Sequence, residues 1–394
     1  MTSICFITYE YPPQIGGEAA YTSGLASALN DMGNDITVIT TTSGKSMDIS
    51  KEGDIRVIRL PKSRVLPKML SFSIDARKIL ENGAPGKIDI IHNTSDYNGI
   101  IIPGNKKKTP VIATIHHPYA EERRIYRAST SNIEYFKYAI HRKIDYLEYN
   151  SKLLCRKSDR LIAVSNYTAK SVTAEYGIQP DKLSIIPNAV DINRFNPDID
   201  GTEIRKKLGI AAEKVILFVG RLDFQKGIEY LISAFSKIVK EFPEAKLIVV
   251  GDGPLKNNVR AAINESGLSK SVFLMGRTDT DDLPKIYAAC DLFVVPSLME
   301  GFGIVYLEAM ASGKACIGAN IGGVEDAIVD GHTGLLVPPA DSDSIYCAIK
   351  KLLSDEDTLA RFGKEGRKRV LENFTWKKVA AQTLEVYNKA SGSV

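Results

Sequence analysis

A chain of 394 residues, 44% hydrophobic and 25% charged, is long enough for two domains that each bury a core, and its composition excludes a disordered or fibrous protein. A formal net charge of +4 is too small for the dense basic field expected of a nucleic-acid-binding protein. Five scattered cysteines (Cys5, Cys155, Cys290, Cys316 and Cys347) form no C-x-x-C pair, which argues for free thiols in a reducing compartment and against a disulfide framework or a zinc site.

The first apolar run, residues 4–7, lacks the basic lead and length of a secretory signal and reads as a buried strand. No window reaches the ~18 apolar residues of a membrane-spanning helix, so a cytoplasmic protein is expected. A Pro/Gly loop leads to a helix over about 19–32, ended by Gly33. Strands follow at 36–40, 55–60, 88–91, 111–115 and 161–164. Residues 187–201, rich in Asn, Asp and Pro, have no apolar period and mark a domain boundary. The pattern then restarts with strands at 215–219, 246–250, 272–275, 292–295, 315–318 and 334–337. Helices are expected near 228–240, 255–265, 283–289, 305–311 and 343–353. Strands alternating with helices imply parallel sheets with crossover helices, hence two successive doubly wound α/β domains facing a cleft. The expected division is 1–190, 191–372 and a closing helical segment, 373–394.

Four stretches carry chemistry. Glu300-Gly301-Phe302-Gly303-Ile304 follows a strand and opens a helix that holds Glu308 one turn in and ends at Gly313. Glycines before a helix let phosphate oxygens approach free backbone N–H groups, where the helix dipole favours negative charge. The two carboxylates suit hydroxyls, Glu308 those of a ribose and Glu300 those of a sugar; a core helix with a charged start is the plainer alternative. Gly220-Arg221-Leu222-Asp223-Phe224-Gln225-Lys226-Gly227 sets two cations at another strand's carboxyl end. That arrangement suits a diphosphate and its charge as a leaving group, although a surface ion pair gives the same pattern. Tyr9 to Gly17 ends in Gly16-Gly17, which allows close backbone approach to a ligand or simply makes a tight turn. The absence of G-x-G-x-x-G disfavours a nicotinamide dehydrogenase. His116-His117-Pro118 follows a strand, where His116 either faces the cleft or is a solvated loop residue. No carboxylate or cysteine nearby completes a metal site.

Together and in order, these stretches resemble the retaining GT-B glycosyltransferases of family 4, which share the "glycosyl transferases group 1" C-terminal domain. The resemblance also includes Ile186-Pro187-Asn188-Ala189-Val190-Asp191, Gly251-Asp252-Gly253-Pro254, Gly322-Gly323-Val324-Glu325 and Phe374-Thr375-Trp376. It implies transfer of a hexose-type sugar from a nucleotide sugar, UDP-linked first and GDP-mannose second, with retention and with neither metal nor cofactor. Arg221 and Lys226 are then expected to hold the diphosphate, helped by backbone near Gly16, Gly17, Phe302, Gly303 and Ile304. Glu308 is expected on the ribose, Glu300 on the transferred sugar, and His116 near the sugar's 6-position. The C-terminal segment is expected to cross back onto the first domain. Ala189, where glycine is common, and His117, often Asp or Gly, depart from the pattern. An epimerase, a phosphorylase and a non-catalytic sugar-binding protein share the architecture and stay open as alternatives.

The acceptor, a glycan or lipid-linked hydroxyl, leaves a fainter trace. Residues 121–160 carry ten Lys/Arg against six acids, interleaved with aromatics. Such a segment either rests on an anionic membrane surface or packs its tyrosines while its charges face water, and the mild charge excess favours packing.

Overall fold

The computed structural model describes residues 1–14, 16–62, 68–83, 85–96, 98–99, 109–117, 119–129 and 144–392. The chain divides into two compact units, Met1–Asn188 with Trp376–Val394, and Ala189–Thr375.

The first unit is built on eight strands: β1 (Ser3–Ile7), β2 (Asp35–Thr42), β3 (Asp48–Glu52), β4 (Ile55–Pro61), β5 (Ile90–Asn93), β6 (Val111–Ile115), β7 (Arg160–Ala163) and β8 (Leu183–Ile185). Their order is β3-β4-β2-β1-β5-β6-β7-β8, parallel throughout except for β3 against β4. β1 pairs on both sides, Ile4 with Ile36 of β2 and with Ile90 of β5. Crossover helices cover both faces, so the central strands are almost continuously apolar. One face packs Cys5, Ile7, Ile39 and Ile58 on Phe72. A second cluster joins Ala113, Ile115 and Leu161 to Leu154 and Tyr176.

The second unit has six parallel strands, β9 (Val215–Val219), β10 (Lys246–Val250), β11 (Val272–Gly276), β12 (Leu292–Val295), β13 (Ala315–Ala319) and β14 (Gly334–Val337). Their order is β11-β10-β9-β12-β13-β14. In both sheets the chain winds outward from one central strand and then reverses direction, between β1 and β5 in the first and between β9 and β12 in the second. In open α/β sheets ligands bind beyond the carboxyl ends of the strands beside such a reversal.

Three features depart from the sequence reading. β5 runs two residues later than the expected 88–91, because His92 and Asn93 are polar yet fully buried. β3 is missing from the reading because its residues, Asp-Ile-Ser-Lys-Glu, are mostly exposed on an edge strand. β8 is a three-residue edge strand, half-buried at Leu183 and Ser184 and exposed at Ile185, too short to show a period. The C-terminal helix Trp376–Ser391 belongs to the first unit. It packs on the helix Gly17–Asp31, where Gly24 makes the room: a Cβ there would lie 2.1 Å from the Trp376 ring.

Candidate active site

In the second unit the two loops at the chain reversal are pressed together. The β9 loop is braced from beneath by the Gly251–Pro254 stretch: Leu222 N donates to Asp252 O at 3.0 Å and Leu255 N to Leu222 O at 2.9 Å. Asp223 caps a single turn, Phe224–Lys226, and its other oxygen lies 3.2 Å from Arg221 Nε. Gly227 follows with φ +62°, and a Cβ there would lie 2.1 Å from Pro296 O of the β12 loop. Close approach and a left-handed backbone both require glycine.

That contact brings the two chemical motifs together. Lys226 Nζ lies 2.6 Å from Glu300 Oε2, with the side chains 22% and 12% exposed. Ser297 Oγ donates to the same carboxylate oxygen at 3.2 Å. Gly323 N donates to Glu300 O at 2.9 Å, so the Gly322-Gly323 motif acts by fixing the backbone of Glu300. Gly303, φ +91°, caps the helix Ile304–Ala311. A Cβ on it would meet the Tyr306 ring at 2.5 Å. Gly303→Ala is therefore expected to cost about 1–3 kcal/mol of stability, read as a lower Tm; an unchanged Tm would refute that strain. The Phe302 side chain is buried, edge-on to Phe374 at 5.6 Å, so it offers a ligand only its backbone. Glu308 Oε2 accepts from Tyr287 OH at 2.8 Å. Burial pushes its carboxyl up to about 7, opposed by the Tyr287 hydroxyl and the Arg194 guanidinium. Arg194 also donates to the Thr280 carbonyl of the β11 loop.

In the first unit the β1 loop ends at Gly16 and Gly17. Gly16 is extended, and its constraint is proximity, since a Cβ would lie 2.3 Å from Glu10 Oε2. Gly17 opens its helix into free space. Glu18 ties the loop down, accepting from Tyr9 N and Thr8 Oγ1, both at 2.8 Å, and from Ser95 Oγ. Burial pushes Glu18 up to about 6.

His116 leaves the end of β6. Its backbone N–H donates to Asp96 at 2.8 Å and that of His117 at 2.9 Å. The buried Nε2 of the His116 ring finds no partner among the described residues. A neutral imidazole carries one proton, so one of its ring nitrogens donates and the other accepts. Burial pushes the imidazole down to about 4, which keeps it neutral. His117 faces elsewhere, its Nε2 2.9 Å from Glu122. Pro118 lies outside the described residues.

Part of the basic segment 121–160 is ion-paired. Arg123 reaches Glu148 at 3.2 Å and Asp145 at 3.5 Å, and Arg124 reaches Glu175 at 3.5 Å. Lys137, Arg142, Lys143, Tyr135, Phe136 and Tyr138 lie outside the described residues. Among the described residues no helix is long and apolar enough to cross a membrane, and no three His, Cys, Asp or Glu side chains are grouped to hold a metal.

The structure thus joins Lys226 to Glu300 directly, places Glu308 one turn along the same helix, and sets His116 at the carboxyl end of the first sheet. Sequence reading missed Glu18, Asp96, Tyr287 and Ser297. Glu18, Asp96 and Tyr287 act on residues distant in sequence or on backbone N–H groups, which leave no local spacing, and Ser297, three positions before Glu300, shows its role only through the hydroxyl's contact with that carboxylate.

Two family models match the chain, Glycosyltransferase Family 4 over residues 15–194 and Glycosyl transferases group 1 over residues 200–369. The chain belongs to the group 1 glycosyltransferases. An uncharacterized glycosyltransferase of Methanocaldococcus jannaschii is 31% identical over 401 residues, covering 98% of each chain. The sucrose-phosphate synthase of Thermosynechococcus elongatus has the same fold, with TM-score 0.83, 24% identity and both chains covered completely. An Anabaena protein solved with UDP and glucose has TM-score 0.76 at 20% identity, covering 98% of this chain and 99% of that one. The fold of this glycosyltransferase is GT-B, and the enzyme uses nucleotide sugars.

Proposed function

We propose that this glycosyltransferase moves a hexose-type sugar from a nucleoside diphosphate sugar to a hydroxyl of a glycan or lipid-linked acceptor, with retention and without a divalent metal. A UDP-sugar is the first choice of donor and GDP-mannose the second. The observation that carries the reading is the Lys226–Glu300 pair, 2.6 Å apart beside the N-terminus of the helix Ile304–Ala311. An ammonium and free backbone N–H groups there suit a diphosphate, and a carboxylate beside them suits the hydroxyls of the attached sugar. Glu308, one turn on, accepts from the ribose. The solution of the Anabaena fold neighbour with UDP and glucose supports the uridine choice.

In the proposed step the bond between the anomeric carbon and the diphosphate oxygen breaks. The acceptor oxygen bonds to that carbon from the same face, and its proton passes to the leaving phosphate oxygen. Arg221 and Lys226 neutralise the charge left on the diphosphate, the part a divalent ion plays elsewhere. His116, neutral and with an Nε2 that has no partner among the described residues, hydrogen-bonds a hydroxyl of the transferred sugar.

The test is product analysis by proton NMR, with UDP-glucose and GDP-mannose as donors, a panel of glycoside acceptors and EDTA present. A glycoside of the donor's own anomeric configuration is expected. An inverted product, or free rearranged sugar without acceptor, would overturn the proposal.

A further inference from the structure

Behind His116 runs a chain of buried polar groups that the reaction above does not use. His92 on β5 has no exposed surface. Its Nδ1 lies 2.7 Å from the Tyr387 hydroxyl on the C-terminal helix, and its Nε2 lies 2.8 Å from Thr114 Oγ1 on β6. Thr114 Oγ1 is in turn 3.1 Å from the Tyr21 hydroxyl on the helix Gly17–Asp31. The Tyr21 ring meets the His116 imidazole edge-on, with centroids 4.6 Å apart and planes at 79°. Tyr21, His92, Thr114 and Tyr387 are all 0–2% exposed.

Polar side chains buried this deeply are tolerated only when paired, and a fully paired network fixes one geometry. Here each member has its partner. Burial holds the His92 ring neutral, pushed down to about 3, so one of its nitrogens donates while the other accepts. The end of the chain is where geometry matters. Nε2 of His116 has no partner among the described residues, so the ring contact with Tyr21 is what fixes its orientation from this side.

We propose that Tyr387, acting through His92, Thr114 and Tyr21, is a positioning residue that holds the His116 imidazole in its reactive orientation. The inference rests on the placement of His116 against the transferred sugar. It gives the C-terminal helix a role beyond covering the sheet, since a hydroxyl on that helix sets the pose of a ring at the end of β6. Deleting this hydroxyl leaves a buried His92 nitrogen unpaired. The ring then reorients, Thr114 releases Tyr21, and the edge that clamps His116 shifts.

The variants are Tyr387→Phe and Thr114→Val, which break the chain from opposite ends with little change of volume. Both are expected to lower kcat about tenfold, the scale of a sub-ångström misplacement. Nucleotide affinity is expected to stay unchanged. Side-chain nitrogen NMR of the five histidines, with His116 assigned from the His116→Ala spectrum, is expected to show the His116 ring signals shifted in both variants. In a His116→Ala background Tyr387→Phe is expected to add no further loss of kcat.

A lower Tm with unaltered kcat and an unaltered His116 signal would reduce Tyr387 to a packing residue. Additive losses in the double variant, with His116→Ala itself harmful, would overturn the proposal alone. A fully active His116→Ala would overturn the placement of His116 and this proposal with it.

Discussion

Replacing Lys226 by alanine is expected to lower kcat/KM about 10²–10³-fold, the loss found when one preorganised group that stabilises developing charge is removed. Without a sugar donor the ammonium is held by Glu300, 2.6 Å away, and both side chains are largely covered. A diphosphate arriving at the helix N-terminus adds negative charge beside that pair, and the leaving group adds more as the glycosidic bond breaks. Lys226 is the more covered of the two cations assigned to the diphosphate, since Arg221 is 53% exposed and pairs with Asp223. The variant also strands the Glu300 carboxylate with Ser297, at a cost of about 1–3 kcal/mol of stability. A circular dichroism melt separates that cost from the catalytic loss. Lys226→Arg is not expected to restore full rate, because a planar fork does not reproduce a compact ammonium wedged between two loops. Turnover within a few-fold of the native enzyme in folded Lys226→Ala would remove the assigned role.

The second large effect is a pH dependence of sugar-donor binding set by Glu308. Its carboxyl is pushed up to about 7 by burial, with the Tyr287 hydroxyl and the Arg194 guanidinium pulling the other way. On the proposed placement of the ribose, its hydroxyls hydrogen-bond the ionised form of Glu308 better, so donor binding is expected to lower the pKa of Glu308 and release its proton. Affinity therefore rises with pH through about 7 and falls below it. Between pH 8 and pH 6 the loss approaches about tenfold, the most that a single group titrating near 7 allows over that interval. A nucleotide sugar is the proper probe, since its diphosphate diester does not titrate in this range. Glu308→Gln is expected to bind more weakly at pH 8 and with no slope. An equal slope in Glu308→Gln would assign the titration to another group.

Much of this site was legible from spacing. Strand, glycine loop and helix recur at intervals that place Arg221 and Lys226 after β9 and Glu300 and Glu308 after β12. The order β11-β10-β9-β12-β13-β14 explains why these two loops meet, since both leave the strands that flank the chain reversal. The supporting residues were illegible for a physical reason. Asp96 holds two backbone N–H groups 20 and 21 residues away, and Tyr387 reaches His92 across 295 positions. Polar residues were also the reason that β5 was placed two residues early. A buried His-Asn pair breaks the apolar run that marks a strand, and only its partners show why it is tolerated. β3 escaped for the opposite reason, because edge strands exposed to water need no apolar alternation.

The most direct test of the central claim is thermal stabilisation by UDP-, GDP- and ADP-sugars in EDTA, measured on the native enzyme and on Arg221→Ala. Binding to the folded state alone at a hundred times Kd contributes about 2.7 kcal/mol, enough to raise Tm by several degrees. One nucleotide is expected to do so without metal, with UDP the first candidate, and Arg221→Ala is expected to lose most of the shift. No stabilisation by any of the three, or an undiminished shift in Arg221→Ala, would contradict a diphosphate site at the β9 and β12 loops.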